Sequence, residues 1–217
     1  SRRQRQMCIR DRGEANYLYG LCNMALGNNT DAKDGFSVAS YSTSVRSTAY
    51  EKLAEMYLID HNWSKAEHYA LKSLEFNQLN LTAQHVLMII YRKTNRPEKG
   101  KAVISSLLEE FPLFHVARFE KYLLDGSTDK KEFESLIRNE LPFETYMELA
   151  EWYETVGCNE EALSLFSFAE NYPIAGYKKA WLLHKSGDEA GSMIALEKAN
   201  AQSPEAVFPF LSLIHIS

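Results

Sequence analysis

The sequence predicts an all-α fold, a right-handed α-solenoid of about six antiparallel helix pairs. Three observations predict it. A pattern of small and large side chains recurs with a period of 34 residues, and apolar residues elsewhere recur at helical spacing. Glycine (10) and proline (6) are also too scarce for a turn-rich β architecture. A length of 217 residues is enough for one short array of such pairs.

The repeat is most regular in three consecutive units near the start of the chain. In the central unit, Ala54 lies midway along the first predicted helix, Tyr57 follows three residues later, and Ala66 follows twelve residues after Ala54. Gly20, Ala32 and Phe36 lie 34 residues before Ala54, Ala66 and Ala70, and Met88, Tyr91 and Gly100 lie 34 residues after Ala54, Tyr57 and Ala66. Three units in one register are difficult to obtain by chance, and they predict repeated helix pairs.

Three further units follow. The fifth contains Ala150, Tyr153 and Ala162 at the same spacings, and the sixth contains Ala180 and Leu196. Between the third and fifth, HVARFEKYLL and KKEFESLIRNEL form a shortened, degenerate pair that still shows helical spacing. The predicted units cover residues 13–46, 47–80, 81–112, 113–142 (degenerate), 143–172 and 173–204.

The repeated positions have a steric role. Two helix backbones approach closely only where side chains are small, and large side chains then fill the groove towards the next helix. Gly157 and Gly187 are expected to end helices in the left-handed conformation, and Asn62 and Asn159 to cap the helices that follow. The residues expected to be buried are Ala54, Ala66, Ala150, Ala162, Phe36, Tyr57, Tyr153 and Phe166.

These spacings resemble the tetratricopeptide repeat superfamily. A narrower resemblance, to the repeat region of large multidomain proteins of gut Bacteroidetes and related bacteria, rests on HVARFEKYLL, LIRNELPFETYMELAEWYETVGCNEEALSLF, YPIAGYKKAWLLHKSG and LEKANAQSPEAVFPF. In those proteins, a β-rich domain similar to galactose mutarotases precedes the repeats. This resemblance implies a link to carbohydrate metabolism. It implies no sugar-handling residues here, because the sequence contains none of the β-rich domain.

Both ends of the sequence are expected to be non-native. Residues 1–12, SRRQRQMCIRDR, and residues 211–217, LSLIHIS, resemble translated sequencing-adapter read-through. We therefore expect both segments to pack poorly, and residues 13–210 to be an internal fragment of a longer protein. Without the five arginines and one aspartate of residues 1–12, the net charge changes from −5 to −9.

Charge and motifs disfavour several functions. An acidic chain without a basic stripe argues against nucleic acid and anionic membrane surfaces as partners. No apolar run approaches the roughly 20 residues of a membrane helix. The histidines and cysteines lack metal-ligand spacing, and no phosphate-binding loop or nucleophile motif is present. The sequence therefore predicts no cofactor, no metal site and no catalytic residue, and it leaves the cellular compartment open.

Binding remains the open question. The family resemblance implies a concave groove lined by the first helix of each unit. The groove candidates are His85, Ile89 and Arg92 in the third unit and Tyr177, Trp181, His184 and Lys185 in the sixth. Tetratricopeptide domains that clamp a chaperone's carboxylate use Lys and Asn at the fifth and ninth positions of a unit. That pattern is absent, so we do not expect a chaperone partner.

Tyr177 and Trp181 are four residues apart, so one helix face is expected to carry both, with His184 and Lys185 extending it. An aromatic pair beside a cation is a plausible binding hot spot. The alternative is that Trp181 lies in the core between the fifth and sixth units, and its exposure decides between the two.

The sequence as a whole predicts a non-catalytic scaffold that binds a partner protein or peptide, or an adjacent domain of the same longer chain. The alternative is an accessory repeat region of a carbohydrate-active enzyme whose catalytic domain lies upstream.

Overall fold

Residues 2–126, 130–137 and 141–202 are described by a computed structural model, residues 2–11 by their backbone alone. Throughout these residues the regular structure is helical, which confirms the all-α fold class and the predicted helix pairs. The helices are α1 (Arg2–Ala25), α2 (Asn29–Ala39), α3 (Arg46–Ile59), α4 (Trp63–Phe76), α5 (Leu81–Lys93), α6 (Pro97–Glu110), α7 (His115–Leu124), α8 (Lys130–Glu134), α9 (Pro142–Thr155), α10 (Asn159–Phe168), α11 (Pro173–Lys185) and α12 (Glu189–Gln202).

The chain divides into two units, residues 1–127 and residues 128–217. Unit 1 contains α1 to α7, and unit 2 contains α8 to α12. In unit 1, α1 packs on α2 and α3 on α4, while α5 contacts α3 and α7 as well as α4 and α6. In unit 2, α9 packs on α10 and α11 on α12.

The predicted small residues lie where paired helices meet. Ala54, Ala66, Ala150 and Ala162 have no exposed surface. Of the predicted large residues, Phe36, Tyr153 and Phe166 are also buried, as expected for side chains that fill the groove to the next helix. Tyr57 is the exception, because it is only half-buried and the ammonium groups of Lys33 and Lys65 lie over its ring.

Three of the four predicted helix-end residues are confirmed. Gly157 and Gly187 have φ values of +77° and +85°, the left-handed region that glycine enters without steric cost. The side chain of Asn62 accepts a hydrogen bond from the Lys65 backbone N–H and so caps α4. The prediction for Asn159 is wrong. The first helical hydrogen bond of α10 runs from Ala162 N–H to the Cys158 carbonyl, so Cys158 is the N-cap and Asn159 lies inside the helix.

The degenerate fourth pair is short, and the division between the two units falls inside it, between α7 and α8. At the start of the chain, α1 begins at Arg2, so the backbone of the segment expected to be non-native is helical. The packing of its side chains, including Met7, Cys8 and Ile9, lies outside the described residues, as does the whole of residues 211–217.

Candidate functional site

The most prominent aromatic side chain on the first helices of unit 2 is that of Trp181, near the middle of α11. Its side chain is 42% exposed, so the prediction that Trp181 could lie in the core is excluded. A tryptophan exposed to this degree on a well-packed helix leaves a large apolar area in water, which is characteristic of binding surfaces when polar groups surround it.

Two ion pairs flank Trp181 and join α11 to α9. Lys178 Nζ lies 3.1 Å from Glu151 Oε1, and Lys185 Nζ lies 3.7 Å from Glu154 Oε1. Lys178 and Lys185 are one turn before and one turn after Trp181, so all three share a face of α11. We refer to Trp181, Lys178, Lys185, Glu151 and Glu154 as the Trp181 surface.

The ion pairs of the Trp181 surface contribute little to folding stability. All four side chains except that of Glu154 are at least 40% exposed, and such surface pairs contribute at most about 1 kcal/mol to folding. They do, however, present alternating positive and negative groups around an apolar centre. This arrangement, an apolar centre within a polar rim, is that of a protein interface.

The other predicted residues of α11 have structural partners. Tyr177 is 8% exposed, and its hydroxyl donates a 3.0 Å hydrogen bond to Asn200 Oδ1 of α12. The prediction that Tyr177 shares the binding face with Trp181 is therefore corrected, because the tyrosine belongs to the α11–α12 core. His184 Nδ1 lies 2.9 Å from a carboxylate oxygen of Glu189, so it joins the end of α11 to the start of α12.

The three candidates on α5 are not on an open surface either. Ile89 is fully buried and His85 is 3% exposed, while the Arg92 side chain is 15% exposed and paired with Glu120 of α7. The position of these residues within the repeat did not predict their burial. It arises where α5 packs among α3, α4, α6 and α7, and for Arg92 the partner lies on α7. We therefore leave His85, Ile89 and Arg92 out of the candidate surface.

Lys178 was missed by the sequence reasoning, although it is three residues before Trp181 and could have been found from that spacing. A second missed feature is an aromatic cluster formed by Tyr50, Tyr57, Tyr69 and Phe76 in unit 1. This cluster could have been predicted from the sequence. Tyr50 and Tyr57 are seven residues apart, as are Tyr69 and Phe76, and residues two helical turns apart share a helix face.

Other kinds of site find little support in the part of the chain that the structure covers. No group of three or more His, Cys, Asp or Glu side chains there could hold a metal ion. Nor does any helix there have the length and apolarity required to cross a bilayer.

Comparison with known proteins identifies the fold. No protein-family model matches the sequence, and no curated protein is significantly similar to it. Among solved structures, a tetratricopeptide repeat protein from Parabacteroides merdae is 16% identical with a TM-score of 0.51, and the match covers 95% of this chain and 86% of that one. The Pseudomonas aeruginosa PilF structure is 15% identical with a TM-score of 0.52, covering 94% and 98% of the two chains.

A third similar structure is that of the APC/C hetero-tetramer Cut9–Hcn1, at 13% identity and a TM-score of 0.54, where the match covers 94% of this chain and 42% of the other. Identities this low establish the fold and nothing finer. Together with the repeated helix pairs, they show that this chain has the fold of the tetratricopeptide repeat proteins.

Proposed function

We propose that this chain is a protein-interaction scaffold and that the Trp181 surface holds a segment of its partner. The observation that carries this proposal is the exposed indole of Trp181 between two ion pairs that join α11 to α9. Interfaces draw most of their binding energy from a few such side chains, tryptophan foremost, when a polar rim excludes water around them. We propose no catalytic role for the chain.

The chemistry of the surface indicates the kind of segment that fits. An apolar or aromatic side chain of the partner would pack on the indole and remove it from water. Charged residues beside it in the partner would then form ion pairs with Lys178, Glu151, Lys185 or Glu154. Such ion pairs determine the orientation of the bound segment more than its affinity. A short peptide carrying an aromatic residue between charged residues is the expected ligand class.

The partner is either a separate protein or a neighbouring domain of the same longer chain. One of the similar structures, Cut9–Hcn1, is a hetero-tetramer, an assembly of the first kind. The resemblance of HVARFEKYLL and the later stretches to repeats that follow a mutarotase-like domain favours the second kind. In that case the chain would be the accessory region of a carbohydrate-active enzyme.

A peptide selection followed by a matched pair of variants tests the proposal. Random peptides are selected on the full chain, and the affinity of the best peptide is measured for the wild type, Trp181→Ala and Met193→Ala. Met193 is a suitable control, since it lies on α12 of the same unit, outside the Trp181 surface, and is 46% exposed. We expect Trp181→Ala to weaken binding at least about tenfold, equivalent to about 1.4 kcal/mol, and Met193→Ala to leave it unchanged.

The melting temperature of Trp181→Ala should stay close to that of the wild type, because Trp181 lies outside the buried α11–α12 cluster of Tyr177, Ala180, Ala195, Leu196 and Ala199. Equal binding by all three proteins, or unfolding of Trp181→Ala, would show that Trp181 is not an interaction residue. A flanking domain of the parent chain, added separately, distinguishes the two kinds of partner: it displaces the peptide only if the surface serves that domain.

A further inference from the structure

Four aromatic rings form a column in unit 1. The rings of Tyr57 and Tyr69 are 5.4 Å apart between centroids, those of Tyr69 and Tyr50 are 6.0 Å apart, and those of Tyr50 and Phe76 are 6.0 Å apart. The interplanar angles lie between 8° and 23°, so the rings are stacked. Because α3 and α4 each supply two rings seven residues apart, the rings alternate between the two helices. We call this array the tyrosine column.

Cations lie at both ends of the tyrosine column. The Arg46 guanidinium lies 4.7 Å from the centre of the Phe76 ring, and the ammonium groups of Lys33 and Lys65 each lie 4.9 Å from the centre of the Tyr57 ring. Cation–π contacts at both ends restrain the terminal rings, which makes the column a preformed surface.

A cleft of about 180 Å³ lies beside the tyrosine column, between α2 and α4. Leu53 of α3 lies at its apolar side, and the rings of Tyr50 and Tyr69 border it. Tyr41 lies at the edge of this cleft and is 79% exposed. No other large apolar side chain in the described residues is as exposed. We call it the tyrosine cleft.

The polar groups of the tyrosine cleft are well suited to donating hydrogen bonds. Hydroxyl groups, the His68 imidazole and the Lys72 ammonium line it, and no carboxylate does. Within the described residues, the hydroxyls of Tyr41, Tyr50 and Tyr69 make no hydrogen bond to the protein. Burial, with the other tyrosines adding to it, raises the pKa of Tyr69, so this hydroxyl keeps its proton at neutral pH.

An extended proline-rich segment has the complementary chemistry. Proline has no backbone N–H, and a polyproline II helix makes no internal hydrogen bonds, so its carbonyl oxygens need external donors. Its flat pyrrolidine rings dock in aromatic-lined grooves. A carbohydrate ligand fits less well, because sugar hydroxyls donate as well as accept, and the cleft offers them hydroxyls but no carboxylate as acceptors.

We propose that the tyrosine cleft binds a proline-rich segment of a partner protein in the polyproline II conformation. This goes beyond the interaction proposed above, because the cleft belongs to unit 1 whereas the Trp181 surface belongs to unit 2. The two sites can therefore fail or succeed separately.

Fluorescence anisotropy of the full chain with a labelled oligoproline of about ten residues tests the proposal. The comparison ligands are a glycine–serine peptide of the same length and a β-linked glucose oligosaccharide. The variants are Tyr41→Ala, which removes an exposed ring, and Tyr69→Phe, which removes a hydroxyl and keeps the ring. Tyr19→Ala is the control, since Tyr19 is 50% exposed in the same unit but does not line the cleft.

We expect the oligoproline to bind and the glycine–serine peptide not to. Tyr41→Ala should weaken binding about tenfold and Tyr69→Phe about fivefold, while Tyr19→Ala and Trp181→Ala leave it unchanged. The proposal is overturned if the oligoproline does not bind, if both cleft variants bind it as well as Tyr19→Ala does, or if the oligosaccharide binds in its place. Tyr69→Phe keeps the ring column intact, so its result stands even if Tyr41→Ala alters the fold.

Discussion

Arg92 of α5 and Glu120 of α7 form a bidentate ion pair inside unit 1. Arg92 Nε donates to Glu120 Oε2 over 2.7 Å, and a terminal guanidinium nitrogen donates to Oε1 over 3.0 Å. The Glu120 side chain has no exposed surface. Two parallel hydrogen bonds to a fully buried carboxylate hold these helices in one register, and they make each partner dependent on the other.

Removing one partner of this pair should destabilise unit 1 strongly. In Arg92→Met the buried Glu120 carboxylate loses the positive charge and the two hydrogen bonds that Arg92 supplies, and we expect the free energy of unfolding to fall by about 3–5 kcal/mol in urea denaturation. Replacing both residues, in Arg92→Met with Glu120→Leu, should recover most of that loss. Lys72→Met is the control, because the Lys72–Glu75 pair is an exposed ion pair of the same unit and should matter by less than about 1 kcal/mol. If Arg92→Met and the control variant lose similar amounts of unfolding free energy, the Arg92–Glu120 pair is not a major source of the stability of unit 1.

His85 should make folding stability sensitive to mild acid. Burial, with a smaller contribution from Arg92, lowers the pKa of His85 well below its ordinary value of 6.5. In the unfolded chain, His85 gains a proton as the pH falls through about 6.5, whereas in the folded chain it stays neutral. The unfolded state therefore binds more protons in this range, and the free energy of unfolding should fall by up to about 1.4 kcal/mol for each pH unit below 6.5.

The measurement is urea denaturation of wild type, His85→Gln and His68→Gln at several pH values between about 7.5 and 5. His68→Gln is the matched control variant, at an exposed histidine of α4. His85→Gln should lose the part of the slope that His85 causes. An unchanged slope in His85→Gln would mean that another group is responsible.

Gly35 should not tolerate a side chain. A Cβ at this position of α2 would lie 2.9 Å from the Asn16 carbonyl oxygen and 2.9 Å from the Gly20 backbone nitrogen, both in α1. Because backbone atoms cannot move aside individually, Gly35→Ala should destabilise the chain by about 1–3 kcal/mol, although alanine is the better helix former. Asp34→Ala, at an exposed neighbouring position, should change the melting curve little. Equal stability of the two variants would mean that α1 and α2 can separate without cost.

The fold could be predicted largely because its determinants are steric and local. Ala54 with Ala66, and Ala150 with Ala162, reveal where two helices approach, and that information lies within one repeat. Capping was less predictable. Asn62 lies four residues before the small residue Ala66, whereas Asn159 lies three residues before Ala162, so Cys158 occupies the cap position of α10 and only Asn62 caps.

The candidate site could be predicted only in part, for a related reason. Trp181 and Tyr177 are one turn apart, and the sequence places them on one face. Which of the two side chains is covered depends on α12. There, Asn200 Oδ1 accepts a hydrogen bond from the Tyr177 hydroxyl. Ile89 was assigned to a groove by its position in the repeat, but it is fully buried where α5 packs among four other helices. Long-range neighbours of this kind leave no local pattern.

The division of the chain between α7 and α8 has a thermodynamic consequence. In arrays of helix pairs, stability comes from contacts between neighbours, and each unit here has its own buried side chains. Unfolding is then expected in two stages, so that a single midpoint does not describe the whole chain. A partner bound at the Trp181 surface would therefore raise the melting temperature of unit 2 by mass action.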